Sequence, residues 1–208
     1  MSDSIANLIT IEPEEGGVPA AGPTVVKVFA TSKEIFIRAR CYDNDPSGIV
    51  SFTKARDTEL DEEDHILIVL DTFMDGRSGY VFAVNPSGAR FDGLVIEQGE
   101  DVNSEWDTIW EATTAIDDAG WFAEIRIPIK SLGFKQGLTE WGFNIERRVQ
   151  RLQESSRWSG AKRDYEIFQT NLAGLLTDLP KFDLGIGLSI RPALLGRSRK
   201  PEPGAEVE

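Results

Sequence analysis

The residues capable of chemistry are few in kind. Hydrolysis by a triad needs a nucleophile, a histidine and an orienting acid, yet the one histidine, His65, opens the apolar run HILIVLD, where a structural role is expected. The one cysteine, Cys41, excludes an internal disulfide and takes an apolar place in a strand pattern, so it reads as core. Neither a phosphate-binding glycine loop of Walker type nor zinc-type Cys/His spacing occurs. Carboxylates are plentiful: Asp43 with Asp45, Asp61 to Asp64, Asp71 with Asp75, Asp101 with Asn103, and Asp117 with Asp118. With 35 acids in the chain, adjacency in sequence identifies no acid and base pair of a glycoside hydrolase. These acids read as turn formers and solvated charge.

Calcium takes six to eight oxygen ligands, and the loops DNDPSG and EDVNSEWD have a suitable composition without forming an EF-hand pattern. Turn chemistry accounts for each loop, with a structural calcium ion as the alternative. Five tryptophans could stack on sugar rings. Trp106, Trp110, Trp121 and Trp141 fall on strand faces shared with aliphatic residues and are assigned to the core; Trp158, in SSRWSG, stands among polar residues. The basic cluster Arg147, Arg148, Arg151 and Arg157 could clamp a carboxylate or dock a partner, and pairing with neighbouring acids is its expected role.

The elements that must position these groups are strands. In IFIRARCY, Ile35, Ile37, Ala39 and Cys41 point one way and Phe36, Arg38, Arg40 and Tyr42 the other. HILIVLD reads as a central strand buried on both faces. YVFAV and ARFDGLVI are joined by an Asn-Pro-Ser-Gly turn as a meander or hairpin. WDTIWEATTAI, with Trp106, Thr108, Trp110 and Ala112 on one face, pairs through Asp-Asp-Ala-Gly with WFAEIRIPI, which alternates through Trp121, Ala123, Ile125, Ile127 and Ile129. In WGFNIERRVQR, Trp141, Phe143, Ile145 and Val149 face inward, with Arg147 interrupting them. The pattern predicts an antiparallel, all-β sandwich over residues 24–180. An extended Pro/Gly/Glu-rich arm over 1–23 precedes it. A further strand over 181–196 (DLGIGLSIR) and a disordered tail over 197–208 follow.

A net charge of −13 across 208 residues repels phosphate backbones, so nucleic acid is not an expected partner. No apolar run approaches the roughly 18 residues of a membrane helix, and the opening MSDSIANLIT lacks the features of a signal peptide.

Taken in order, VVKVFATSKEIFIRARCYDNDPSGIV, HILIVLDTFMDGRSGYVFAVNPSGARFDGLV, WDTIWEATTAIDDAGWFAEIRIPIKSLGF and WGFNIERRVQR resemble the family 9 carbohydrate-binding domain at the N-terminus of bacterial proteins whose remainder looks like an outer-membrane β-barrel. The resemblance covers about Thr24 to Leu179 and rests most on LDTFMDGRSGYVFAVNPSG together with GWFAEIRIPIKSLGF. It implies a jelly-roll-like sandwich, export to the periplasm or outer membrane, and sugar binding, in some relatives with calcium. Where sugar-binding relatives carry two stacking tryptophans, this sequence has Leu60 and Asp61 at one place, and Lys162 to Asp164 followed by Tyr165 at the other. Leu67 and Ala83 stand at positions of hydroxyl-binding polar residues, and the usual opening strand with its Ile-Asp-Gly start is not evident.

The expectation is a non-catalytic carbohydrate-binding-like module, accessory to a larger cell-envelope protein. Its ligand would be an oligosaccharide or polysaccharide, lined by Asp61, Lys162, Arg163 and Tyr165. A docking domain for the barrel region of the same protein is the alternative, and part of a glycoside hydrolase the lesser one.

Overall fold

The computed structural model describes residues 4–58 and 60–182. Among them the strands are β1 (Ser4–Ile5), β2 (Ile9–Glu12), β3 (Thr24–Ala30), β4 (Glu34–Tyr42), β5 (His65–Asp71), β6 (Gly79–Val84), β7 (Arg90–Ile96), β8 (Asp101–Asn103), β9 (Glu111–Asp117), β10 (Gly120–Pro128), β11 (Trp141–Val149), β12 (Glu154–Arg157) and β13 (Gly174–Leu176). The smaller sheet runs β1-β3-β4-β10-β9 and the larger one β2-β12-β11-β5-β6-β7-β8, with β13 also on β11; every pairing is antiparallel. This is the expected all-β sandwich.

Alternation decides which side chains meet. Ile35, Ile37 and Cys41 of β4, with Trp121, Ile125 and Ile127 of β10, face Ile66, Ile68 and Leu70 of β5, Phe82 of β6, and Phe143 and Ile145 of β11 across one core. The β9–β10 hairpin closes with Asp117 opposite Gly120. Gly120 has φ +127, and a Cβ there would lie 2.2 Å from the Cys41 carbonyl oxygen, so glycine is required. As its composition suggests, β5 is central and covered twice, because Val69, Val81 and Val95 on its sheet's outer side pack under Ile167.

Three segments depart from the sequence reading. Residues 104–110 do not continue β9, because the buried Asp92 carboxylate takes the Thr108 N–H at 2.8 Å, the Trp110 indole N–H at 2.9 Å and Arg56 at 2.8 Å. These bonds replace a strand ladder. Trp106 and Trp110 still pack inward, against Tyr80 and Phe82, at 5.0 and 5.1 Å between ring centroids. Glu154–Arg157, too polar to announce itself, is a fully buried strand. Of the arm, residues 4–5 and 9–12 pair with β3 and β12, adding an edge strand to each sheet. Trp158 packs on Phe143 and against Gly174. The strand expected over 181–196 lies outside the described residues except for 181 and 182, and the tail expected over 197–208 lies wholly outside them.

The arginine cluster is engaged internally. Arg147 is 1% exposed and donates to the carbonyls of Gly22 and Tyr42, with Asp43 at 3.5 Å; Arg151 grips Asp43 with two bonds of 2.8 and 2.6 Å. Arg148 pairs with Glu12 and Arg157 with Glu146.

Candidate functional site

The outer face of the larger sheet carries a cavity of about 340 Å³, within the size range of small-ligand pockets. Its floor follows from register. Leu67 of β5 lies opposite Ala83 of β6, and Ala83 opposite Phe91 of β7, so three apolar side chains form one row across the sheet. Leu60 from the turn before β5, Val102 of β8 and Phe168 from the loop after β12 complete the apolar lining. Asp61, His65, Glu100 and Asp101 supply the polar part, with the three acids exposed.

The turn bearing Leu60 and Asp61 is fixed by Glu63. Its carboxylate is buried and accepts the N–H groups of Phe52 (2.7 Å) and Thr53 (3.1 Å) and the Asn85 amide (2.8 Å), while its own N–H donates to the Leu60 carbonyl at 2.9 Å. Burial opposes ionisation of Glu63, but these donors and the Thr53 side chain outweigh it and hold the group below its ordinary 4.5. A group depressed in the fold contributes stability above its unfolded value and loses it as the pH falls through the folded one. Glu63→Gln is therefore expected to cost about 1–3 kcal/mol at pH 7. Denaturant melts of both proteins should show that difference shrinking below pH 4.5.

His65 Nδ1 lies 2.9 Å from the Glu63 carbonyl oxygen and donates to it when the ring is neutral, leaving Nε2 as acceptor. Burial pushes its pKa below the ordinary value, keeping it neutral near pH 7. The cavity thus joins an apolar floor, a neutral imidazole and a carboxylate rim. It can seat a compact ligand with an apolar face and hydroxyl or cationic groups.

Of the four expected site residues, Asp61 lines this cavity. Lys162, Arg163 and Tyr165 are not among its lining residues, although Phe168 on the same loop is. The Lys162 ammonium sits 5.6 Å from the Tyr165 ring centroid, Arg163 is held through the Glu15 carboxylate and the Pro13 carbonyl, and the Tyr165 carbonyl accepts from Arg157 at 2.5 Å. The alternation of ARFDGLVI could have identified Phe91. No local signal marks Phe168, Glu100 or Asp101, which are brought in by loops.

The two oxygen-rich loops engage their own groups. Asp43 is held by arginines, Asp45 accepts the Ser47 hydroxyl at 2.6 Å, Asn103 accepts the Glu105 N–H at 3.0 Å, and Asp107 pairs with Arg56. Among the described residues no group of three or more His, Cys, Asp or Glu side chains is placed to share a metal. Melting curves in calcium and in chelator are expected to coincide; a rise of several degrees with calcium would place an ion in these loops.

Fold and cavity together define a β-sandwich with a ligand-sized pocket on the outer face of one sheet. No known protein family pattern and no curated protein matches the chain. Among solved structures it is similar to a family 9 carbohydrate-binding module from Caldicellulosiruptor kristjanssonii in complex with cellotriose, at TM-score 0.61 and 15% identity over 92% of this chain and 89% of that one. A family 9 module from the same organism in complex with glucose gives 0.59 and 15% over 88% and 87%. A candidate carbohydrate-binding protein from Bacteroides uniformis gives 0.62 and 12% over 85% and 86%. The chain has the fold of the family 9 carbohydrate-binding modules.

Proposed function

We propose that this protein is a non-catalytic carbohydrate-binding module and that the cavity over Leu67, Ala83 and Phe91 is where sugar binds. The observation that carries the reading is convergence. Leu60, Asp61, Leu67 and Ala83, which the sequence resemblance sets in place of the ligand-holding residues of sugar-binding relatives, line one pocket on a fold shared with modules solved with glucose and cellotriose. Phe91 and Phe168 offer apolar surface to the C–H faces of a sugar, while Asp61, Asp101 and His65 Nε2 accept from hydroxyls.

Calorimetric titration of the full chain with glucose, cellotriose and other neutral oligosaccharides tests this. Millimolar or tighter binding that Ala83→Trp abolishes supports the reading; no heat with any of them overturns it. The module would serve as an accessory part of an exported cell-envelope protein, a context that rests on the sequence resemblance.

A second reading, docking to a barrel region of the same protein, is favoured by the outer face of the smaller sheet. There Phe29, Tyr42 and Phe122 are 37–41% exposed beside Arg38 and Arg40. Arg147 and Arg151 cannot serve such docking because both are committed to Asp43. Co-purification with the barrel region, lost in Phe122→Asp, is the corresponding test.

A further inference from the structure

We propose that the cavity on the larger sheet selects for sugars carrying a free ammonium group, such as oligomers of glucosamine, and rejects uronates. The inference deepens the sugar-binding reading and rests on it.

The carboxylates of Asp61, Glu100 and Asp101 reach the cavity from two sides, the turn before β5 and the β7–β8 connection with β8. Among the described residues, those of Asp61 and Glu100 accept no hydrogen bond and form no ion pair, while Asp101 accepts only the neighbouring Val102 N–H, at 2.7 Å. This contrasts with the rest of the molecule, where Asp43, Asp92 and Glu146 are each held by arginine. Among the described residues no lysine or arginine lines the cavity. Arg148, whose charge acts on His65, donates at 2.9 Å to Glu12 and is bound to glutamines as well. His65, neutral near pH 7, adds no positive charge.

The site is therefore an apolar floor under three negative charges, in a chain of net charge −13. An anionic sugar would meet repulsion from the rim and from the whole molecule. A neutral sugar would lose little, since hydroxyls donate to carboxylates. An ammonium group placed among the three acids would gain attraction from each, and a flanking low-dielectric surface strengthens it. The apolar floor requires the cation to be borne on a body with a C–H face, which separates an amino sugar from a simple amine.

The test is titration of the full chain at about pH 6.5 with glucosamine trimer, N-acetylglucosamine trimer, cellotriose, galacturonate trimer and butylamine. Glucosamine trimer is expected to bind about tenfold tighter than cellotriose at low salt, three exposed charge pairs each giving a modest gain. Galacturonate trimer should be the weakest sugar. The preference should fall to about twofold in 1 M salt. In the triple variant Asp61→Asn, Glu100→Gln, Asp101→Asn, the affinity ratio of glucosamine trimer to cellotriose should approach one.

If cellotriose or N-acetylglucosamine trimer binds and glucosamine trimer binds no tighter, the selectivity is wrong while the sugar-binding reading stands. Butylamine binding as tightly as glucosamine trimer would also overturn it. If no sugar binds, both fall.

Discussion

Asp43→Ala is expected to lower the unfolding free energy by about 3–5 kcal/mol, the range for removing one partner of a buried ion pair. The Arg147 guanidinium lies between the sheets, 1% exposed, with Asp43 at 3.5 Å, and its Nε and Nη2 groups donate no hydrogen bond among the described residues. Without Asp43 it keeps the carbonyls of Gly22 and Tyr42 and the Thr24 hydroxyl, which solvate but do not neutralise it. Asp64 cannot fully replace Asp43, because burial raises its pKa and opposes the charge that would be needed. Arg151 loses its two-bond grip but can turn to solvent. Adding Arg147→Met to the alanine variant should therefore recover part of the loss, since an apolar side chain of similar length leaves no charge behind. Equilibrium urea unfolding measures both. A double variant no more stable than Asp43→Ala would show that Asp43 matters chiefly for its loop.

Trp110→Ala should cost a similar 3–5 kcal/mol through the cavity left by a large buried side chain. Trp110 is 2% exposed, meets Phe82 edge-on at 5.1 Å between centroids, and donates its indole N–H to Asp92 at 2.9 Å. Truncation removes the packing and one donor from a fully buried carboxylate that retains Arg56 and the Thr108 N–H. Trp110→Phe restores most of the volume without the donor, so its smaller cost, compared with the alanine variant in the same urea titration, separates packing from the hydrogen bond. Equal losses would mean the bond to Asp92 dominates.

The sandwich was legible wherever a strand has one buried and one solvated face. Ile35 to Cys41 and Trp121 to Ile127 alternate because water and core lie on opposite sides of the same backbone, and that requirement writes itself into the sequence. Hairpin partners were legible too, since Asp117 to Gly120 and the turn after β6 are local. The same logic fails for β12. Its Glu154 accepts the N–H of Ala20 at 2.7 Å and its Arg157 meets Glu146, so a strand of polar residues is buried by partners distant in sequence. It fails as well at residues 104–110, where alternation persisted but the Asp92 carboxylate captured the backbone donors.

For the candidate cavity, the sequence reading named Asp61 as a lining residue, and the family resemblance singled out Leu67 and Ala83. Only the tertiary structure decided that these meet Phe91, Phe168 and Asp101 around one pocket, while Lys162, Arg163 and Tyr165 line no part of it. The physical reason is that a floor follows from strand register, which period-two alternation encodes, whereas walls and rim come from loops whose paths are set by long-range bonds. Glu63 to Asn85 and Arg163 to Glu15 are of that kind, joining residues 22 and 148 positions apart.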